Sequence, residues 1–107
     1  MDDLDLGRFM HPAFLILTSL AQEPRHGYAI MEDIQTITGL RMGPGTLYGA
    51  LARLEERGLI RPLGDRDRRR PYQITEHGAK VLAEQYRRYH ALVTTGMARL
   101  KELNPEW

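Results

Sequence analysis

Residues 43–75 read GPGTLYGALARLEERGLIRPLGDRDRRRPYQIT, and the change of period inside this stretch decides the fold. Gly43-Pro44 pre-sets a helix start, because a proline at the first helical position gives up only an N–H that has no intrahelical partner. Leu47, Leu51 and Leu54 then recur at steps of four and three, Arg53, Glu55, Glu56 and Arg57 take the wet side, and Gly58 ends the helix. From Leu59 the pattern becomes two short strands, Leu59–Leu63 and Arg69–Ile74, joined by the charged turn Gly64-Asp65-Arg66-Asp67-Arg68. Pro62 and Pro71 suit a small exposed hairpin better than a sheet interior.

Upstream, a helix begins near Gly27, carries Tyr28, Ile30, Met31, Ile34 and Ile37 at helical spacing, and stops at Gly39. Before it, Pro12 opens another, with Phe14, Leu15, Ile16, Leu17 and Leu20 following without a charge until Glu23, the pattern of a buried helix. Downstream, Thr75 caps a long final helix and Glu76 favours its positive end. Leu82, Tyr86, Tyr89, Val93, Gly96 or Met97, Leu100 and Leu103 alternate steps of four and three along it for three heptads, until Asn104-Pro105. The order helix, helix, helix, hairpin, helix, with a tight connection between the second and third helices, predicts a winged helix-turn-helix. The fold class is mainly α with a small β wing. Residues 1–75 are expected to form a winged helix-turn-helix DNA-binding part, and residues 76–107 a dimerisation helix packed as part of the same unit.

A chain of 107 residues, 42% apolar and 27% charged, has the size and composition of one soluble domain. The lack of cysteine excludes a disulfide framework, a thiolate zinc site and a cysteine nucleophile. No apolar run approaches membrane-spanning length, and the leader Met1–Asp5 is acidic where a signal peptide is basic, so a cytoplasmic protein without a membrane partner is expected. The net charge of +1 hides an asymmetry: residues 41–80 hold nine Lys or Arg against five acids, a net of +4, while the remainder nets −3. The middle of the chain is therefore expected to face a polyanion.

The wing supplies the clearest candidates for that role. Arg66, Arg68, Arg69 and Arg70 dominate its tip and are expected beside the phosphate backbone, where a guanidinium binds in fork geometry. Arg41, just ahead of the third helix, is expected at a phosphate, whereas Arg53 and Arg57 are expected to pair with neighbouring acids. Gly43, Pro44 and Gly45 lack bulk and permit close approach to DNA, and Thr46 lies where a helix start meets a phosphate or a base edge. Tyr28 and Tyr48 sit early in their helices, where a phenol donates to a phosphate oxygen; core packing is the competing role for each. On the last helix, Leu82, Tyr86, Tyr89, Val93, Met97 and Leu100 are the expected dimer seam.

The four histidines lack metal-ligand spacing, Ser19 is the lone serine within an apolar helix, and no phosphate-binding glycine loop is present. Neither an enzyme nor a resident metal or cofactor is expected. Tyr86, Tyr89, Met97 and Trp107 are candidates to line an aromatic effector pocket, a role that coiled-coil packing explains equally well.

The blocks His26-Gly27-Tyr28-Ala29-Ile30, Gly45-Thr46-Leu47-Tyr48 with Leu51, Arg53-Leu54-Glu55 and Gly58-Leu59-Ile60, and Arg69-Arg70-Pro71-Tyr72-Gln73-Ile74-Thr75 with Gly78 occur in one order. In that arrangement the chain resembles the PadR-like transcriptional regulators from His11 to about Leu103. The resemblance implies a homodimeric, usually repressing, DNA-binding regulator of the short type with a single final helix, some of whose members bind flat drug-like molecules at the dimer interface. Two-fold pairing then implies a palindromic operator as the double-stranded DNA partner. The rival reading is a ligand- or protein-binding module that keeps the winged fold without specific DNA recognition.

Overall fold

The computed structural model describes residues 11–64 and 70–107. Four helices and a two-stranded hairpin follow in the order α1 (Pro12–Leu20), α2 (Gly27–Thr38), α3 (Pro44–Glu56), β1 (Ile60–Pro62), β2 (Tyr72–Ile74) and α4 (Glu76–Leu103). This is the winged helix-turn-helix order.

Helix α1 is the axis of the core. The His11 ring accepts a hydrogen bond from the Ala13 amide at its start, Pro12 occupies the first turn, and Leu15, Ile16, Leu17, Ser19 and Leu20 are all buried. So apolar a segment has no wet face to offer, and the other elements pack around it: Ile30 and Ile34 from α2, Leu47, Ala50, Leu51 and Leu54 from α3, Ile60 from β1 and Leu82 from α4 close one cluster. The stop at Gly39 adopts φ 76°, the left-handed geometry that lets the chain leave α2 and enter α3 after a five-residue connection, residues 39–43.

The hairpin pairs antiparallel in the register Ile60↔Ile74, Arg61↔Gln73 and Pro62↔Tyr72. Its strands are shorter than the sequence pattern implies, because Pro62 and Pro71 break the ladder, leaving the Leu63 amide to donate to Pro71 O at 2.8 Å. The hairpin is also less exposed than expected: Ile60 is fully buried, and Tyr72 and Ile74 pack against the core. A third short edge, invisible in the periodicity, is Arg25. Its amide donates to Tyr72 O (3.1 Å) and the Tyr72 amide donates back to Arg25 O (2.9 Å), tying the α1–α2 connection to the wing.

Thr75 caps α4 as expected, accepting from the Gly78 amide at 3.0 Å while its own hydroxyl donates to Gly58 O at 2.7 Å. Gly78 is where α4 meets the chain leading into β1, and a Cβ there would stand 2.0 Å from Leu59 O. Helix α4 is 28 residues long, about 42 Å at 1.5 Å per residue, and past the core contact of Leu82 its later apolar side chains are exposed.

Candidate nucleic-acid interface

Helix α3 turns Leu47, Ala50, Leu51 and Leu54 inward, so its N-terminal turn and the opposite stripe face solvent. Gly43 occupies the N-cap with extended backbone (φ −74°, ψ 157°) and no side-chain capping bond, and Gly43, Pro44, Gly45 and Thr46 are all exposed. The helix therefore presents amides whose hydrogen-bonding capacity is not taken by a capping side chain, at its positive end. A Cβ on Gly43 or Gly45 would meet nothing within 4 Å, and neither residue has a positive φ. The fold itself does not require glycine at either place, whereas a ligand backbone approaching this turn benefits from both.

Tyr28 and Tyr48 are both solvent-facing. Tyr28, the second residue of α2, is 68% exposed, and Tyr48 is 48% exposed, so neither is a core residue. Their positions are linked through Gly27, the buried first residue of α2: a Cβ on it would lie 2.6 Å from the Tyr48 hydroxyl oxygen and 3.0 Å from the ring carbon bearing it. The Tyr48 phenol thus rests over the start of α2, next in sequence to Tyr28. Arg41 is exposed and makes no ion pair among the described residues.

Of the wing arginines, Arg66, Arg68 and Arg69 lie outside the described residues. Arg70 turns back toward the body of the domain, with its guanidinium 3.6 Å from Glu55 Oε1 and 5.8 Å from the centre of the Tyr72 ring. Arg61, which the sequence reading counted only as charge, is exposed on β1 and donates through Nε and Nη2 to Gln73 Oε1 across the strand pair, at 3.0 and 2.7 Å. Only the strand register brings these two side chains together. Arg53 and Arg57 make no ion pair with their neighbouring acids among the described residues, contrary to expectation. They rim a cavity of about 360 Å³ between α1, the end of α3 and α4, which Leu17, Leu54 and Leu82 floor. Tyr89 also lines it, while Tyr86, Met97 and Trp107 lie outside it.

The final helix corrects one residue of the expected seam. Leu82 is only 4% exposed because α4 still packs on its own chain at that height, so its side chain belongs to the core and not to a partner surface. Tyr86 and Tyr89 are partly engaged at home: both make edge contacts with Phe14 (ring centroids 5.4 and 4.8 Å), and the Tyr86 hydroxyl donates to Thr18 Oγ1 at 2.8 Å. From Leu92 onward the apolar stripe of Leu92, Val93, Met97, Leu100 and Leu103 is exposed. The strict heptad reading passed over Leu92, which widens the stripe. Among the described residues no cluster of three or more metal-ligating side chains occurs, and no helix is long and apolar enough to cross a membrane.

A three-helix core with a hairpin wing and an outward-facing third helix defines a winged-helix protein of the DNA-binding type. Residues 16–84 match the transcriptional regulator PadR-like family, and the chain belongs to that family. Its structure is similar to that of a PadR family transcriptional regulator from Eggerthella lenta, with 30% identity, 92% of this chain and 91% of that one covered, and a TM-score of 0.70. It is also similar to a transcriptional regulator from Clostridium thermocellum (27% identity, 92% and 97% covered, TM-score 0.73). A PadR family transcription regulator from hypervirulent Clostridium difficile shares the fold at 22% identity, with 85% and 99% covered and a TM-score of 0.75. In sequence, 71 residues are 49% identical to an uncharacterized 37.1 kDa protein in a Streptomyces fradiae transposon. They make up 66% of this chain and 21% of that protein, so the match spans about a fifth of the relative's length.

Proposed function

We propose that the chain is a homodimeric, cytoplasmic transcriptional repressor that binds a palindromic operator with α3 in the major groove and the wing against the flanking backbone. The observation that carries this reading is the exposed start of α3 at Gly43, Pro44 and Gly45, which lacks bulky side chains, together with the solvent-facing phenols of Tyr28 and Tyr48. Thr46 and the amides around it meet base edges or phosphates, Tyr28, Tyr48 and Arg41 donate to phosphate oxygens, and the wing-tip residues Arg66, Arg68 and Arg69 add charge beside the groove. The exposed stripe from Val93 to Leu100 pairs with that of a second copy and sets the half-site separation, on the order of 10 to 21 base pairs.

The cavity between α1, α3 and α4 favours a second role within the same reading. Its apolar floor and the Arg53 and Arg57 rim suit a small aromatic anion, and its walls include the end of the recognition helix and the start of the pairing helix. A ligand there releases the operator by changing how α3 is held relative to α4. A module that binds only such a ligand, without specific DNA recognition, is the alternative.

Fluorescence anisotropy separates the two. The purified chain is titrated with the duplex from upstream of its own coding region and with a scrambled duplex, at two salt concentrations. Preference for the native duplex, with a log-log salt slope of several units, supports the repressor reading. Equal weak binding to both duplexes supports the ligand-binding module.

A further inference from the structure

We propose that Arg70 is a positioning residue that locks the returning strand of the wing to the recognition helix through Glu55, and is not itself a phosphate contact. The inference rests on the DNA-binding reading above and deepens it. Arg70 is the first described residue after the wing tip and lies two residues before Tyr72, the residue that pairs with Pro62 on β1 and with Arg25 on the opposite edge.

Both faces of its guanidinium chemistry are in use inside the chain. One edge meets Glu55 Oε1 at 3.6 Å, and the group lies 5.8 Å from the Tyr72 ring centre, within the range where a cation gains from an aromatic quadrupole. Only 28% of the Arg70 side chain is exposed, against 40% for Glu55. A guanidinium reaching for a phosphate has to leave both partners, whereas one that stays bridges the last turn of α3 to the base of the wing.

The other side of the wing base is held in a matching way. Arg25 pairs its backbone with Tyr72, donates through Nε to Ser19 O at 3.3 Å and lies 3.9 Å from Asp33 Oδ2. Tyr72 is therefore clamped between an arginine anchored to α1 and α2 and an arginine anchored to α3. The angle between the wing and the recognition helix, on which simultaneous contact with groove and backbone depends, is set by these two anchors. Glu55 gives the test its sign: removing an acid near DNA by itself tightens binding, but removing an acid that holds the wing weakens it.

The experiment uses the full chain and a fluorescein-labelled duplex that the wild-type chain has selected from a random pool, with anisotropy titrations at several salt concentrations and a thermal melt for each variant. Arg70→Gln and Glu55→Gln are each expected to weaken binding about three- to tenfold with the salt slope unchanged. The exchange Glu55→Arg with Arg70→Glu is expected to recover most of that loss. The melts are read alongside to show that each variant is folded, and the two glutamine variants keep the test intact if the exchanged pair does not fold. A drop in slope of about one for Arg70→Gln, with Glu55→Gln binding as tightly as wild type or more so, overturns the proposal in favour of a direct phosphate contact. A wild-type chain that selects no duplex overturns both the proposal and the DNA-binding reading beneath it.

Discussion

The Tyr48 phenol lies so close over Gly27 that a methyl group on that glycine would stand 2.6 Å from the phenolic oxygen. The contact ties α3 to the first turn of α2, next in sequence to Tyr28. Because the clashing atom is the exposed end of a flexible side chain, Gly27→Ala moves the ring and leaves the core in place. The expected result is a melting temperature within a few degrees of wild type and a several-fold loss of DNA affinity. Combining it with Tyr48→Ala adds little further loss, since both changes remove the same phenol. Additive losses in the double mutant cycle contradict this account.

Gly45→Ala separates the needs of the fold from those of the ligand. With open space around it and no positive φ, Gly45 lies in α3 at a cost of roughly 0.5–1 kcal/mol relative to alanine. Urea denaturation of the variant is expected to show equal or higher stability, while its DNA affinity falls because the methyl group stands where the backbone or a base edge approaches. A variant that is more stable and binds DNA as well as wild type removes the close-approach role of this turn.

Gly78→Ala gives the opposite pattern. The obstacle there is a backbone oxygen, Leu59 O, at 2.0 Å from the added Cβ, and no side-chain rotation relieves it. Either α4 shifts away from the wing or the hairpin lead-in moves, and a loss of more than about 2 kcal/mol is expected from chemical denaturation. A loss under about 0.5 kcal/mol contradicts the close packing of α4 on the chain at Leu59, just ahead of β1.

Leu82 and Leu100 test the division of the last helix. Leu82→Ala is expected to cost about 2–4 kcal/mol of folding stability, as for a buried leucine whose cavity does not collapse. Val93→Asp with Leu100→Asp leaves each domain folded and places charges on the exposed stripe, so sedimentation equilibrium is expected to give the mass of one chain where wild type gives two. A double variant that still sediments as a dimer moves the interface off this stripe.

How much of this was legible beforehand depends on the range of the interaction. The helix limits and the two caps follow from local chemistry: Pro12 and Pro44 start helices, Gly39 stops one, and Thr75 caps another, each acting within a few residues. The sequence leaves core packing and solvent exposure open for Tyr28 and Tyr48, because both fall among apolar positions of their helices; the tertiary packing turns both toward solvent. Nor is the role of Leu82 legible, because a heptad records that a stripe is apolar and not whether its own chain or another covers it. Arg70 enters the sequence pattern as a phosphate contact of the wing tip, and Arg61 only as charge. Their partners, Glu55 and Gln73, lie 15 and 12 residues away, and only tertiary folding and strand register bring them together. The backbone pairing of Arg25 with Tyr72 spans 47 residues and leaves no trace in either local pattern.

In the proposed complex, two copies place two α3 helices in major grooves of a palindromic site. Hydroxyl-radical footprinting of the wild-type chain on the duplex it prefers tests this most directly. Two protected patches related by two-fold symmetry are expected, with centres on the order of 10 to 21 base pairs apart. A single patch, or two patches in direct repeat, contradicts this arrangement.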